Sequence, residues 1–448
     1  MKYNTHTLDN GLRIIHLPSD SKVVYCGYQI NAGTRDEEPG EEGLAHFCEH
    51  VTFKGTERRK AWHILNCLES VGGDLNAYTN KEGTVYYSAI LKEHIARAVD
   101  LLSDIVFHSV YPQAEIDKEV EVICDEIESY NDSPAELIYD EFENILFKDS
   151  SLGHNILGTA EQVRSFTTED ALRFTRKLYR PDNAIFFAYG DIDFKKLVKL
   201  IQKALGECPK GRELACSTDC NSAETPTEKR IAEETPTGET PTEEMEAGDA
   251  NHKVQSSKFN VQSKVAGQTI VMQKNTHQAH VMIGTRAYDV NDDRRMPLYL
   301  LNNMLGGPGM NAKLNLALRE HNGLVYTVES TMVAYGDTGT WSIYFGCDEH
   351  DVKRCLRLVR KELDKFMQKP LSDAQLKAAK KQIKGQIGVA CDNRENFALD
   401  FGKSFLHYGW EKNVDRLYEQ VDEITAAQIQ AVAQELFDKD RLTTLIFK

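Results

Sequence analysis

Long apolar segments are absent from this chain of 448 residues, in which no run of 18 apolar residues occurs. No segment is therefore predicted to cross a membrane. The first 18 residues contain neither an apolar core nor an arginine-rich amphipathic pattern, so export is not expected. The ten cysteines form no CxxC pair, and scattered thiols of this kind favour a reduced, cytoplasmic protein over a disulfide framework.

Basic residues are fewer than acidic ones, 53 against 69, so the formal net charge is -16. Residues 221–250 alone contribute -7, with nine acidic residues against Lys229 and Arg230. This excess of acid argues against a nucleic-acid surface, although it identifies no partner by itself. The glycine-rich stretch GGPG at 306–309 lacks the GK[ST] ending of a phosphate-binding loop, so nucleotide binding has little support.

The middle of the chain has almost no large apolar residue and repeats ETPT at positions 224, 234 and 239. Such a segment cannot build a core, so residues 208–262 are predicted to be a flexible acidic linker or insertion. It separates a first half, residues 1–207, from a second half, residues 263–448. The chain is long enough for two or three domains with proper cores.

The two halves share a short sequence pattern. GTVYYSAILKEH at 83–94 and GTWSIYFGCDEH at 339–350 both open with Gly-Thr and close with Glu-His. In each half a strand-like segment runs into an amphipathic helical pattern, which is followed by Pro112 or Pro370. These similarities predict a duplicated α/β unit, although matches this short can arise by chance.

The pentapeptide HFCEH occupies positions 46–50 in the first half. At about 100° per residue in a helix, His46, Glu49 and His50 share one face, and the opposite face is an apolar stripe of Leu44, Phe47, Cys48 and Val51. Two imidazoles four residues apart can reach one tetrahedral metal ion, and a neighbouring carboxylate can deprotonate a water molecule. The pattern favours metal-dependent hydrolysis, with a solvated polar face as the alternative. Cys48 faces away from the histidines, so it is predicted to pack and not to act as a nucleophile.

A third metal ligand is expected from another helix. The segment QAEIDKEVEVICDEIESY at 113–130 has one apolar face and several acids that project away from it. Glu119 and Glu126 lie two turns apart at the border of the apolar stripe, where a carboxylate can face a partly buried site. Ordinary border acids on a helix are the alternative interpretation.

Together with VTFKGT, LNAYTNKEGTVYY and EVICDEIES, the pentapeptide resembles the pitrilysin or insulinase family of inverzincin zinc metallopeptidases. The resemblance covers nearly the whole chain apart from the acidic insertion. It is strongest to the short bacterial relatives of the mitochondrial processing peptidases. It implies an α+β fold of two related α/β-roll halves, each with a mixed or antiparallel sheet packed with helices.

The resemblance also implies a role for each residue of the site. His46, His50 and Glu126 would bind one zinc ion per chain, and Glu49 would be the catalytic base. Glu119 would be an outer carboxylate that orients a ligand or the attacking water.

Substrate contacts are implied in both halves. Asn76 and Ala77 would lie on a strand edge that receives the substrate backbone, with simple turn chemistry as the alternative for Asn76. LREHNGLVYT in the second half matches an arginine and tyrosine pair of the family, here Arg319 and Tyr326, which would stabilise the oxyanion. A cation near a helix end is the alternative for Arg319.

The resulting prediction is a cytoplasmic zinc metalloendopeptidase that cleaves peptides or unfolded segments. It would work as a homodimer in which the zinc-bearing half of one chain faces Arg319 and Tyr326 of its partner. A non-catalytic structural or partner subunit of the same fold is the competing class, although this chain keeps the full ligand set. A peptidase dedicated to maturing one precursor is a narrower alternative that the sequence does not separate.

Overall fold

A computed structural model describes residues 1–206 and 267–448. The predicted linker at 208–262 lies outside the described residues, so its properties stay predictions, as do the domain boundaries drawn from it. No helix in the described ranges is long and apolar enough to span a bilayer.

The first half is built on a six-stranded sheet. Its strands are β1 (Asn4–Thr7), β2 (Arg13–Pro18), β3 (Val23–Ile30), β4 (Asp74–Thr79), β5 (Thr84–Leu91) and β6 (Ala184–Gly190). They lie in the order β1-β2-β6-β3-β5-β4, with β2 and β6 parallel and the other neighbours antiparallel. Strand β4 is therefore an outer strand whose far edge pairs with no other strand of this sheet.

Residues 1–206 also form eight α-helices. They are α1 (Leu44–Thr52), α2 (Ala61–Glu69), α3 (Ile95–Phe107), α4 (Gln113–Asn131), α5 (Pro134–Leu146), α6 (Ala160–Val163), α7 (Thr168–Leu178) and α8 (Phe194–Leu205). Local sequence explains where several begin: Thr167 and Asp170 form a capping box at the start of α7, and the Asp193 side chain caps α8.

The second half repeats the plan with five strands. These are β7 (Thr269–Met272), β8 (Ala279–Ala287), β9 (Val325–Ala334), β10 (Gly339–Cys347) and β11 (Thr443–Phe447), in the order β7-β11-β8-β10-β9. The helices are α9 (Arg295–Gly306), α10 (Val352–Gln368), α11 (Asp373–Cys391), α12 (Arg394–Tyr408), α13 (Val414–Glu423) and α14 (Ala426–Leu436), with a π-helical segment at Asn315–Glu320.

The two shared sequence segments become corresponding strands and helices. Strand β5 with α3 corresponds to β10 with α10, α1 beside β4 corresponds to α9 beside β9, and α4 and α11 are both 19 residues long. The predicted fold class, two related halves with helix-packed sheets, is confirmed.

Each half also packs one of its helices on the sheet of the other half. Helix α5 packs on the second sheet, where Phe142 joins the core cluster of Met282 and Leu445. Helix α12 packs on the first sheet, where Leu399 O accepts a 2.8 Å hydrogen bond from Gln29 Nε2. Each sheet is thus covered partly by the other half, and this fixes the halves against each other.

Candidate metal centre

Helix α1 presents HFCEH as the helical periodicity predicts. Leu44, Phe47, Cys48 and Val51 are fully buried in the core of the first half. On the opposite face His46 and Glu49 are largely buried and His50 is partly exposed. The buried stripe fixes the rotation of the helix, because turning it would expose these side chains to water.

Glu126 of α4 faces both histidines of α1. His46 Nε2 lies 3.8 Å from Glu126 Oε1, and His50 Nε2 lies 3.2 Å from Glu126 Oε2. One ligand atom from each of the three residues lies within 4.8 Å of the others. A tetrahedral zinc ion with bonds of about 2.0–2.2 Å needs ligand atoms roughly 3.4 Å apart. Both distances to Glu126 are close to that spacing, so the set fits zinc after small shifts of the side chains.

The charge balance of the three side chains also suits a cation. Burial and the nearby His50 lower the pKa of His46 to about 4, so its imidazole is neutral, which is the form that binds metals. Burial opposes protonation of His50, but hydrogen bonds to Glu119 and Glu126 raise its pKa to about 9. Carboxylates that stabilise a proton on His50 would equally stabilise a metal cation beside it.

Glu119 contacts the other nitrogen of His50. Its Oε1 accepts a 3.0 Å hydrogen bond from Nδ1, and its Oε2 lies 2.5 Å from Lys54 Nζ. This pairing orients the His50 ring and leaves Nε2 facing Glu126, the arrangement expected of an outer carboxylate at a metal site. Lys54 was not among the predicted site residues. Its position in FKGT directly after α1 is the sequence feature that could have identified it.

Glu49 stands beside the three potential ligands and outside their set. Its Oε2 accepts a 2.6 Å hydrogen bond from Thr79 Oγ1 at the end of β4. Burial raises the pKa of Glu49, and the bond from Thr79 works in the opposite direction. Thr79 was also missed from the sequence, because only the fold places it against α1.

Asn76 and Ala77 lie on β4 as the resemblance implies. They pair with Tyr87 and Tyr86 of β5 on one side, and the other side is the outer edge of the sheet. Since Thr79 is the last residue of the same strand, that end of β4 lies beside the Glu49 carboxylate. Their contact with a substrate stays a prediction.

Arg319 and Tyr326 lie elsewhere in the chain. The Arg319 guanidinium is 5.6 Å from the centre of the Tyr326 ring, and Tyr326 is 81% exposed. Both line a cavity of about 740 Å³ whose described lining residues all belong to the second half. The structure therefore brings His46, Glu49, His50, Glu119 and Glu126 together, and leaves the arginine and tyrosine pair apart from them.

The same cavity holds the second-half counterpart of the metal centre. Asn303 of α9 donates a 2.6 Å hydrogen bond to Gln386 of α11, as His50 of α1 faces Glu126 of α4. Ser330 of β9 donates a 2.5 Å bond to Asn302, so a strand hydroxyl contacts the neighbouring helix in this half too. Amides replace the imidazole and carboxylates, and uncharged amides are poor zinc ligands.

Two family models match the chain. Residues 14–160 match the insulinase model, peptidase family M16, and residues 165–383 match the peptidase M16 inactive domain. The chain belongs to the insulinase family, M16. The resemblance read from HFCEH and its companion motifs is confirmed.

Relatives of this M16 chain are found across bacteria and in yeast. An uncharacterized zinc protease of Streptomyces coelicolor is 30% identical over 97% of this chain and 87% of its own length. The mitochondrial-processing peptidase subunit beta of Saccharomyces cerevisiae is 30% identical over 95% of this chain and 86% of its own. A protease from Helicobacter pylori of known crystal structure has the same fold, with a TM-score of 0.81 at 20% identity over 100% of this chain and 99% of its own.

Proposed function

We propose that this M16 chain is a zinc metalloendopeptidase that holds one zinc ion through His46, His50 and Glu126. The convergence of three ligand atoms within 4.8 Å, beside a second carboxylate, that of Glu49, which is not in the set, carries the proposal. The zinc protease names of several relatives support the choice of metal and reaction.

Bound zinc would supply Lewis-acid chemistry, polarising the scissile carbonyl and increasing the acidity of water. Glu49 is the base in this proposal. Thr79 holds Oε2, which leaves Oε1 to take a proton from the attacking water and to pass it to the leaving amine. General-base help of this kind is worth roughly 10²- to 10⁴-fold in rate.

The substrate would be a peptide or an unfolded segment. An extended chain can add to the free edge of β4, where main-chain hydrogen bonds give affinity with little selectivity for side chains. Thr79 lies on the same strand and contacts Glu49, so a peptide bound along Asn76 and Ala77 would pass the proposed base. Most strands of a folded protein are already paired within a sheet, so an extended peptide or an unfolded segment is the better fit to this edge.

The working unit in this proposal is a homodimer with a shared site. Arg319 and Tyr326 lie in the second half, next to the amide-lined counterpart of the metal centre and not beside Glu126 of the same chain. Tyr326 is exposed and available to a partner chain. One relative is itself named as a subunit, which supports assembly in this family.

A non-catalytic subunit is the second candidate, because one matched model is named an inactive domain. That match spans residues 165–383 and so excludes the three proposed ligands and Glu49. We therefore favour hydrolysis.

We also place the protein in the cytoplasm, since the seven cysteines in the described ranges are all free thiols.

Digestion of a mixed peptide library by the purified protein tests the proposal. Cleavage that stops with a chelator and returns with zinc supports it, and mass spectrometry of the products would show endoproteolysis and its selectivity. Cleavage at many sites favours peptide turnover, and a single preferred site favours the maturation of one precursor. A protein that binds zinc and cleaves nothing would be the non-catalytic candidate.

A further inference from the structure

The helix that carries HFCEH lacks an ordinary N-terminal cap. Gly43 precedes α1 with φ +95°, and glycine has no side chain to accept a hydrogen bond from the first turn. The carboxylate of Glu37 fills this role from six residues upstream. Its Oε1 accepts a 2.7 Å hydrogen bond from Ala45 N, and its Oε2 accepts a 3.1 Å bond from Gly43 N.

Glu37 is itself held from a separate segment. Its side chain is fully buried, and His154 Nε2 donates a 2.8 Å hydrogen bond to Oε2. Lys81, only 3% exposed, donates to the carbonyl of His154. A buried carboxylate with partners on both oxygens is fixed in position, because each alternative rotamer would leave a buried charge unpaired.

Tight backbone packing keeps the His154 segment against the start of α1. A Cβ added at Gly43 would lie 2.7 Å from Leu157 O, and one added at Gly158 would lie 2.2 Å from Glu42 O. Both contacts are too short for any side chain, so the two backbones pack directly. The Glu37 cap therefore belongs to a rigid contact between α1 and the segment that follows α5.

His46 depends on this contact more than His50 does. Glu119 orients the His50 ring through Nδ1, whereas Nδ1 of His46 is buried and has no hydrogen-bond partner among the described residues. No hydrogen bond at Nδ1 fixes the direction of the His46 ring toward Glu126. Its direction therefore follows from where the first turn of α1 places its backbone, and Ala45, which Glu37 holds, is its neighbour.

We propose that Glu37 is a positioning residue that fixes the first turn of α1 and thereby aims His46 at the metal, with His154 holding Glu37 in place. The inference rests on the proposed function, because it takes His46, His50 and Glu126 as the ligands. Glu37 touches neither substrate nor metal in this arrangement. Its effect should appear in metal affinity even when the protein remains folded.

Titration of the metal-free full-length protein with Co²⁺ tests the role, with the visible d–d bands as the readout. We expect Glu37→Ala to bind Co²⁺ about 10- to 100-fold more weakly than the wild type, with altered bands as His46 leaves the coordination set. Glu37→Gln keeps one acceptor oxygen and should recover part of the affinity. His154→Ala should lie between the wild type and Glu37→Ala.

Cys48→Ala is the matched control. Cys48 is fully buried on the apolar side of the same helix, so its truncation should lower thermal stability and leave Co²⁺ affinity and bands unchanged. Folded Glu37→Ala with wild-type affinity and bands would overturn the inference. If that variant does not fold, wild-type behaviour of both Glu37→Gln and His154→Ala would overturn it. A wild-type protein that binds no Co²⁺ would instead refute the proposed metal site itself.

Discussion

Glu119 accepts a 3.0 Å hydrogen bond from Nδ1 of His50, on the opposite side of the ring from Glu126. Glu119 can thus orient the His50 ring without occupying the position of a metal ligand. We expect Glu119→Gln to reduce zinc affinity about 10- to 100-fold while the fold is retained. Competition with a chromophoric chelator would measure this loss. Glu121→Gln on the exposed side of the same helix is the control and should bind zinc like the wild type.

Thr79 is expected to affect the rate of hydrolysis and not the binding of the metal. Thr79→Val removes the bond that holds Glu49 Oε2, so the carboxylate can rotate away from the attacking water. We predict that kcat falls roughly 10- to 100-fold, as expected for losing a hydrogen bond to a charged group, with KM nearly unchanged. Zinc content should stay at one ion per chain. Thr5→Val on the exposed edge strand β1 serves as the control, and an equal loss in both variants would contradict a specific role.

Burial of Glu143 between the halves predicts a pH-dependent stability. Glu143 of α5 accepts a 2.7 Å hydrogen bond from Tyr335, and burial raises its pKa although Tyr335 and Lys81 oppose the shift. Because the carboxyl holds its proton more tightly in the folded state, its contribution to the free energy of unfolding is most favourable at low pH. That contribution is lost as the pH rises from about 4.3, the pKa in the unfolded chain, through the raised pKa of the folded state. Gln at this position cannot ionise, so the stability of Glu143→Gln relative to wild type should increase across that window.

Urea unfolding between pH 4 and pH 8 would measure the Glu143 effect. Glu136→Gln, at an exposed position on the same helix, is the control for the substitution itself. A pH-independent difference for Glu143→Gln would show that ionisation of this carboxyl does not affect folding.

Sequence periodicity was sufficient to predict the polar face of α1, because one helix determines it. It could not choose between Glu119 and Glu126, since both lie at the border of the same apolar stripe; the choice came from the family resemblance. The structure separates them by the ring nitrogen each one faces. Contacts made between distant segments, such as Thr79 with Glu49 and Glu37 with Ala45, leave no local pattern.

The exchange of helices between the halves was equally inaccessible from the sequence. The apolar faces of α5 and α12 predict that each helix packs on something, but periodicity does not say on which sheet. The duplicated strand and helix pattern could be recognised in the sequence because each copy is one continuous segment. The covering of each sheet by the other half depends on the path of the whole chain.

The shared-site dimer predicts complementation between two inactive chains. A Glu49→Gln chain and an Arg319→Ala, Tyr326→Phe chain should each be inactive as homodimers. In the mixed dimer one site carries both defects, and the other combines an intact Glu49 with an intact arginine and tyrosine pair. Activity should return toward half of the wild-type value per dimer. Mixed dimers that form and remain inactive would show that the two elements act within one chain.

In the proposed mechanism Glu49 moves the proton while His46, His50 and Glu126 hold the metal. Zinc content and peptide hydrolysis of Glu49→Gln, measured on the same purified sample, test it most directly. We predict one zinc ion per chain, as in the wild type, with hydrolysis reduced by roughly 10²- to 10⁴-fold. Loss of zinc together with activity would make Glu49 a ligand, and retained hydrolysis with zinc bound would remove it from the reaction; either result would contradict the account.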